Sequence, residues 1–194
     1  RPVTEPAVID PPQPPPSAMT DAVERGFAAI QAHYARGVGG VVVELPDVQL
    51  SRSGLPARVV NAVNRARFAD AARTDEGIDH ARAFFGEAGL LFRWFVGPSA
   101  PADLGARLTA AGIGKLSDTP GMALELDRMV DEPVRLPGLE VRAVANPADL
   151  EDWLFVSRAS AGFDDVVYGA WATAHRALGW GPDAPLQNFV ARLD

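Results

Sequence analysis

The sequence predicts an α/β fold of the α+β type, in which helices flank a mixed sheet. Hydrophobic residues make up 47% of the 194 residues, which is enough for a buried core. Short stretches with strand patterns alternate with longer ones in which apolar residues recur every three to four positions, as in amphipathic helices. The longest apolar runs, 38–43 and 90–96, are far shorter than the roughly 20 residues of a membrane-spanning helix. We therefore expect no membrane span.

The composition also narrows the range of possible binding partners and of possible sites. With 18 basic and 25 acidic residues the net charge is −7, which opposes nonspecific attraction to nucleic acid or anionic lipid. The absence of cysteine excludes disulfides, zinc fingers, iron–sulfur clusters and thiol nucleophiles. No pattern typical of a secretion signal is visible, so a cytoplasmic location is the default expectation.

The first third of the chain predicts a leader, a helix and two strands. Residues 1–17 form an expected disordered leader with seven prolines, although such a segment could also bind a proline-recognising domain. The spacing from Thr20 to Gly37 predicts an amphipathic helix. Val38–Leu45 reads as a buried strand and Arg58–Phe68 as a second one, with a turn over Ser51–Pro56.

The middle of the chain predicts two further helices and two strands. A helix is expected to begin at Thr74 and to end at the glycines 86 and 89, with three side chains facing inward, Ile78, Ala81 and Phe85. Leu90–Val96 reads as a strand. Pro101 opens a helix that we expect to end at Gly112 in a Schellman motif. Met122–Leu126 is the following predicted strand.

The last third predicts a strand, two helices and a terminal strand. After Leu139–Val144, Asn146 is expected to cap a helix, and a second helix ends at Gly179. The apolar stripe of that second helix consists of Val167, Trp171, Ala174 and Leu178. The terminal strand Phe189–Leu193 has no following hairpin, so the sequence predicts that it lacks a partner.

These elements divide the chain into two units. The first covers 18–130, a linker with two prolines and a glycine covers 131–138, and the second covers 139–194. From the terminal strand we expect the second unit to be the opening part of a larger domain. The missing partner strand would then come from residues beyond Asp194, or from another chain.

Several familiar motifs are missing. Gly112–Lys115 resembles a phosphate loop, but the glycine spacing is wrong and no Ser or Thr follows the lysine. His33, His80 and His175 are far apart, and we expect each at the surface or at a boundary rather than on a metal. No Gly-x-Ser-x-Gly elbow supports a serine hydrolase. We therefore predict no metal site and no catalytic residue.

Two groups of residues are candidates for binding. Four arginines around the second predicted strand could hold an anionic phosphate, or could simply serve solubility: Arg58, Arg65, Arg67 and Arg73. At the junction of the last two helices, aromatic rings and carboxylates together are typical of a wall that binds a small amine: Phe163, Asp164, Asp165, Tyr168 and Trp171. Trp171 also lies on the apolar stripe, so core packing is an equal alternative for it.

The order of the elements resembles the GNAT superfamily of N-acetyltransferases. The second unit is similar to the β-α-α-β opening of such a domain, and the first is similar to the later part of a degenerate GNAT fold. The stretches that carry the resemblance are Leu139–Arg142, Asn146–Trp153 and Pro185–Leu193, with Glu44–Asp47, Ser53–Pro56 and Arg93–Ser99 upstream. Bacterial GNAT proteins with a degenerate first half and a catalytic second half show the same arrangement.

The resemblance implies transfer of an acetyl group from acetyl-CoA to a small amine. The family binds the pyrophosphate at a Gln/Arg-x-x-Gly-x-Gly/Ala turn, but the corresponding stretch 68–76 lacks glycine and carries carboxylates. We therefore expect this chain to be the N-terminal portion of such an acyltransferase, with the acceptor wall at 163–171 and the acetyl-CoA site elsewhere. The alternative is a noncatalytic binding or interaction module that pairs its open sheet edge with another chain.

Overall fold

The computed structural model describes residues 17–121 and 136–193, and the mixed α/β class is confirmed. The helices are α1 (Ser17–Gly37), α2 (Ala71–Gly86), α3 (Leu104–Ala110), α4 (Pro147–Ala161) and α5 (Asp165–Leu178). The strands are β1 (Val41–Glu44), β2 (Gln49–Arg52), β3 (Asn61–Asn64), β4 (Arg93–Trp94), β5 (Leu139–Ala143) and β6 (Phe189–Leu193). The predicted strand 122–126 and most of the predicted linker lie outside the described residues.

The first four strands form one mixed sheet in the order β1-β2-β3-β4. β1 and β3 each pair with β2 in antiparallel orientation, whereas β4 runs parallel to β3. The parallel pair needs a crossover, and α2 supplies it. One face of this sheet, with Leu50 and Val63, packs against α2 and α3 in a core that includes Ile78, Phe85 and Leu104.

α1 covers the opposite face. Arg36 on α1 forms an ion pair of 3.0 Å with Glu44, whose ladder partner is Gln49. Gln49 and its own partner Asn64 therefore face α1, away from Leu50 and Val63. The layer between α1 and the sheet is accordingly richer in polar side chains than the core on the other side.

The prediction of a turn over Ser51–Pro56 was wrong at its start, because Ser51 and Arg52 belong to β2. Gln49, Leu50 and Ser51 are all buried, so the strand shows no polar–apolar alternation that would reveal it. The predicted strand Arg58–Phe68 is also shorter, since a 3-10 turn occupies Arg58–Val60 and β3 ends before Arg65, whose φ is 55°.

Two further boundaries differ from the prediction. α2 begins at Ala71 rather than at Thr74, because the Asp70 carboxylate caps it by accepting a hydrogen bond of 2.9 Å from the Arg73 amide. The predicted strand Leu90–Val96 is reduced to the two residues of β4, which pair only with Ala62 and Val63. The inward-facing residues predicted for α2 are buried, as expected.

The predicted helix ends are confirmed where the structure shows their hydrogen bonds. After α3, the Gly112 amide donates to Thr109 O (3.0 Å) and the Ile113 amide to Leu108 O (2.8 Å), which is the Schellman pattern. At the start of α4 the Asn146 side chain accepts from the Asp149 amide at 3.0 Å. Both signals are local, which explains why the sequence revealed them.

The terminal strand has a partner, which corrects the prediction that it lacks one. β6 pairs with β5 over its whole length in antiparallel orientation, from Phe189 opposite Ala143 to Leu193 opposite Leu139. α4 packs on one face of this two-stranded sheet through Leu150 and Val190. No helix in the described part of the chain is long and apolar enough to cross a membrane.

α5 connects the two parts of the chain. Its apolar side, with Ala170 and Ala174 buried, packs against Tyr34 of α1, against Ala57 just before the 3-10 turn and against Val60 within that turn. The other side of the helix contributes Ala172 to the core shared with α4 and β6. The stripe predicted for this helix therefore faces α1 rather than the sheet that follows it.

Candidate functional site at the junction of α4 and α5

The connection between α4 and α5 is short and held by hydrogen bonds at both ends. Gly162 ends α4 in the left-handed conformation at φ 63°, which glycine adopts without strain. The Phe163 amide then donates to Arg158 O at 3.2 Å. Asp164 caps α5, since its carboxylate accepts from the Val167 amide at 2.8 Å. The positions of the side chains at this junction are thus fixed by its backbone.

A shallow, open cavity of about 380 Å³ lies at this junction. Its lining residues are Phe155, Arg158, Ala159, Gly162, Phe163 and Tyr168. The lining is mainly apolar and aromatic, with one cation and one phenol. A surface of this kind suits a small molecule with an apolar body and a polar group at one end.

Arg158 is the charged group of the cavity. Its guanidinium lies over the Tyr168 ring, 4.7 Å from the centroid, and its Nη2 lies 2.5 Å from Asp165 Oδ1. The ring face of Tyr168 is therefore a place where this protein already holds a cation. The Asp165 carboxylate at the rim is exposed, so an incoming cation could compete for it at small energetic cost.

The five residues of the predicted amine wall have four different placements. Phe163 and Tyr168 line the cavity, and Asp165 lies at its rim in the ion pair with Arg158. Asp164 serves as the cap of α5. Trp171 is half-buried in the aromatic cluster with Tyr34 and Trp153, so core packing accounts for it. The Trp171 ring contacts the Phe163 ring edge-on, with their centroids 5.7 Å apart, and so packs against a residue that lines the cavity.

The half of the cavity that α4 supplies was not predicted from the sequence. Phe155, Arg158, Ala159 and Gly162 follow one another at i, i+3, i+4 and i+7, so they share one helix face. That spacing was visible in the sequence. Its meaning was not, because an apolar stripe at this spacing usually faces the core, whereas Phe155 is exposed.

His175 was expected at the surface or at a boundary, and that prediction was wrong. Its side chain is buried, with an exposed fraction of 2%, and its Nε2 lies 3.0 Å from the Tyr34 hydroxyl. The rings of Trp153 and Trp171 lie 4.5 and 4.4 Å from it. Burial lowers the pKa of His175 to about 4. His33 is half-buried and His80 exposed, as expected.

Two of the four arginines around β3 are engaged in ion pairs. Arg67 contacts Asp21 at 2.5 Å and Glu24 at 2.8 Å. Arg73 is held by Asp47 at 2.8 Å and by Glu76 at 2.6 Å. Arg58 is exposed on the 3-10 turn. Since two of the four charges already have carboxylate partners, this group offers no support for a phosphate site.

The carboxylate of Glu24 has both a side-chain and a backbone partner, and these lower its pKa. Burial raises its pKa, but hydrogen bonds from Arg67 and from the Ser99 backbone amide outweigh that effect, so its pKa lies below the usual value. The Ser99 amide donates at 2.9 Å. This carboxylate therefore joins α1 to the segment after β4 and acts as a structural group.

The residues at the start of α2 do not fit the pyrophosphate of acetyl-CoA. This helix begins after β3, where the GNAT resemblance would place the cofactor. Its N-terminus is capped by the carboxylate of Asp70, and the Arg73 side chain nearby is engaged by Asp47 and Glu76. A carboxylate at the helix start repels an anionic group where free amides would attract one.

Within residues 17–121 and 136–193, no group of three His, Asp or Glu side chains could hold a metal ion. Comparison of the chain with protein-family models, with curated proteins and with solved structures gave no match. The cavity at the α4–α5 junction is therefore interpreted from its own residues.

Proposed function

We propose that this chain forms the acceptor-binding side of a GNAT-type acyltransferase, which moves an acetyl group from acetyl-CoA to a small amine. The observation that carries the proposal is the cavity at the α4–α5 junction, with aromatic walls and the Asp165 carboxylate at its rim. The order β5-α4-α5-β6 and the crossover of α2 between parallel strands agree with the resemblance seen in the sequence.

The geometry suits an amine with an apolar body. The faces of Phe155 and Phe163 offer contact for a flat or aliphatic group. An ammonium group could replace the Arg158 guanidinium over the Tyr168 ring and pair with Asp165, since both partners there already stabilise a cation. Arg158 must then move aside, and its exposed position permits that movement.

We propose that these residues bind the amine, and we assign no catalytic step to them. The start of α2 does not fit acetyl-CoA, so the described residues supply no place from which an acetyl group could be delivered in the way the family uses. We expect isothermal titration of the chain with acetyl-CoA to give no heat of binding. A tight complex would contradict this part of the proposal.

Amine recognition is tested with benzylamine and its neutral analogue benzyl alcohol, observed by saturation-transfer NMR and titration calorimetry. We expect benzylamine to bind at least tenfold more tightly than the alcohol, and Tyr168→Ala to reduce the difference. Trp180→Ala, an exposed aromatic residue beyond the other end of α5, is the matched control and should leave binding unchanged. Equal binding of amine and alcohol would contradict an amine site.

A second candidate function is a noncatalytic module that pairs its sheet edge with another chain. The Val144 amide donates to Asn188 O at 2.8 Å, so these two residues form a hydrogen-bonded pair of the ladder. Because hydrogen-bonded and non-hydrogen-bonded pairs alternate along antiparallel strands, the amides of Phe189, Ala191 and Leu193 point away from β5. The described residues place no third strand at this edge. Ala191→Pro removes one outward amide and should abolish such pairing, whereas a purely monomeric wild-type chain would exclude it.

A further inference from the structure

The sheet of β5 and β6 has one face that is entirely apolar and exposed. Antiparallel partners lie on the same face, so this face consists of three cross-strand pairs: Leu139 with Leu193, Val141 with Ala191, and Ala143 with Phe189. All six residues are exposed, and the exposed fractions of the four larger ones lie between 41% and 63%. We call these six residues the bare face.

On the opposite face of the same two strands, α4 engages most of the side chains. Val190 is buried against α4 and α5. Arg142 pairs with Asp149 at 2.5 Å and Arg192 pairs with Asp152, so α4 holds both arginines, whereas Glu140 on this face is exposed. The strands therefore place every charge on the α4 side. The bare face carries no charge and no hydrogen-bonding side chain.

Such a surface is unusual for a protein in water. Exposed apolar residues are normal when they are scattered, but six neighbouring ones on one face of a sheet mark an interaction site. A two-stranded sheet is also marginal in stability with only one face covered. The absence of charge excludes a strongly ionic partner, because such a partner would lose the hydration of its charges without compensation.

We infer that the bare face is the dimerisation surface of this chain, packed face to face against the bare face of a second copy. The two sheets would lie about 10 Å apart, as in a β-sandwich, with a twofold axis between them. A second copy is the partner that matches it because it presents the same six apolar residues, so that neither chain buries an unpaired charge. Dimerisation in this arrangement leaves the contacts between α4 and the opposite face of the sheet unchanged.

The size of the bare face predicts a weak, reversible dimer. Its exposed apolar area is on the order of 500 Å² per chain, so a dimer would bury about 1,000 Å² in total, which is below the roughly 1,200–2,000 Å² of stable specific interfaces and in the range of weak, transient ones. Each chain carries a net charge of −7, which opposes association at low salt. Because the contact is apolar, dimerisation should strengthen as salt screens that repulsion.

The test is sedimentation velocity of the full 194-residue chain between about 5 and 500 μM, at low and at high NaCl. We expect the mass to rise with concentration from the 20.6 kDa of one chain towards twice that value, and more so at high salt. Val141→Glu puts a charge at the centre of the bare face and should keep the chain monomeric over the whole range.

Two control variants make the outcome specific. Leu116→Glu changes an exposed leucine outside both sheets and should dimerise like the wild type. Glu140→Gln changes an exposed residue on the opposite face of the same two strands and should dimerise as well. A wild-type chain that stays monomeric at 500 μM overturns the inference. So does a dimer that survives Val141→Glu, since that result would place the interface outside the bare face. Circular dichroism of each variant verifies that the fold is retained.

Discussion

The hydroxyl of Tyr34 lies 3.0 Å from Nε2 of His175 and joins two residues that are 141 positions apart in the sequence. Tyr34 belongs to α1 and His175 to α5, so this hydrogen bond crosses the contact between the two parts of the chain. The rings of Trp153 and Trp171 enclose the imidazole, and burial raises the pKa of Tyr34 and lowers that of His175. The pair is thus neutral at pH 7.

The burial of His175 makes stability depend on pH. The unfolded chain binds a proton at this side chain near pH 6.5, whereas the folded chain does so only near pH 4. The stabilisation is therefore complete above pH 6.5 and is lost as the pH falls towards 4, by up to about 3 kcal/mol. Urea unfolding at several pH values should show this loss in the wild type and not in His175→Phe. His80→Gln, at an exposed histidine, should follow the wild type.

Tyr34→Phe tests the hydrogen bond itself. The substitution keeps the ring contacts with Trp171 and His175 but leaves Nε2 of the buried imidazole without a partner. We expect a loss of about 1–2 kcal/mol in the free energy of unfolding. The double variant Tyr34→Phe with His175→Phe removes both polar groups, and should lose less than the sum of the two single losses. Additive losses would show that the two side chains do not interact.

The sequence predicted those elements whose ends are fixed by local chemistry. The cap at Asn146 and the glycine end at Gly112 were found because each needs only a few neighbouring residues. β2 was missed because Gln49 and Ser51 are polar yet buried beneath α1, and burial of that kind depends on a distant helix. The pairing of β6 was missed for a similar reason, because its partner strand begins 50 positions earlier in the sequence.

In the candidate site, too, features that depend on neighbouring residues were predicted and features that depend on distant ones were not. Phe163 and Tyr168 lie within six residues of each other on a tight junction, so proximity in sequence predicted proximity in space. Arg158 joins them only because α4 turns back at Gly162 and presents that helix face to the junction. The burial of His175 could not be read from its neighbours in sequence, since Tyr34 lies on the first helix.

Asp149 and Asp152 provide a matched pair for the ionic contacts between α4 and the β5–β6 sheet. The Asp149 carboxylate is buried to an exposed fraction of 4% and accepts hydrogen bonds from Arg142 and from the Asn146 side chain. Asp152 contacts Arg192 at a site that is about half exposed. We expect Asp149→Ala to cost about 3 kcal/mol of unfolding free energy and Asp152→Ala less than about 1 kcal/mol. Equal losses measured by chemical denaturation would contradict the assigned difference in burial.

Gly40 occupies a position where the backbone leaves no room for a side chain. A Cβ atom there would overlap with Arg52 O and would lie 2.8 Å from Ser53 Cα and 2.9 Å from Ala35 O. All three are backbone atoms, so no rotamer change relieves the contact, and the pairing of β1 with β2 must shift. We expect Gly40→Ala to lower the free energy of unfolding by about 2–4 kcal/mol. Gly105→Ala in α3, where nothing lies within 4 Å, should instead be neutral or stabilise by about 1 kcal/mol. Because both variants add one methyl group, a thermal or urea denaturation series that ranks them equally would show that the contact of α1 with β2 is looser than the structure places it.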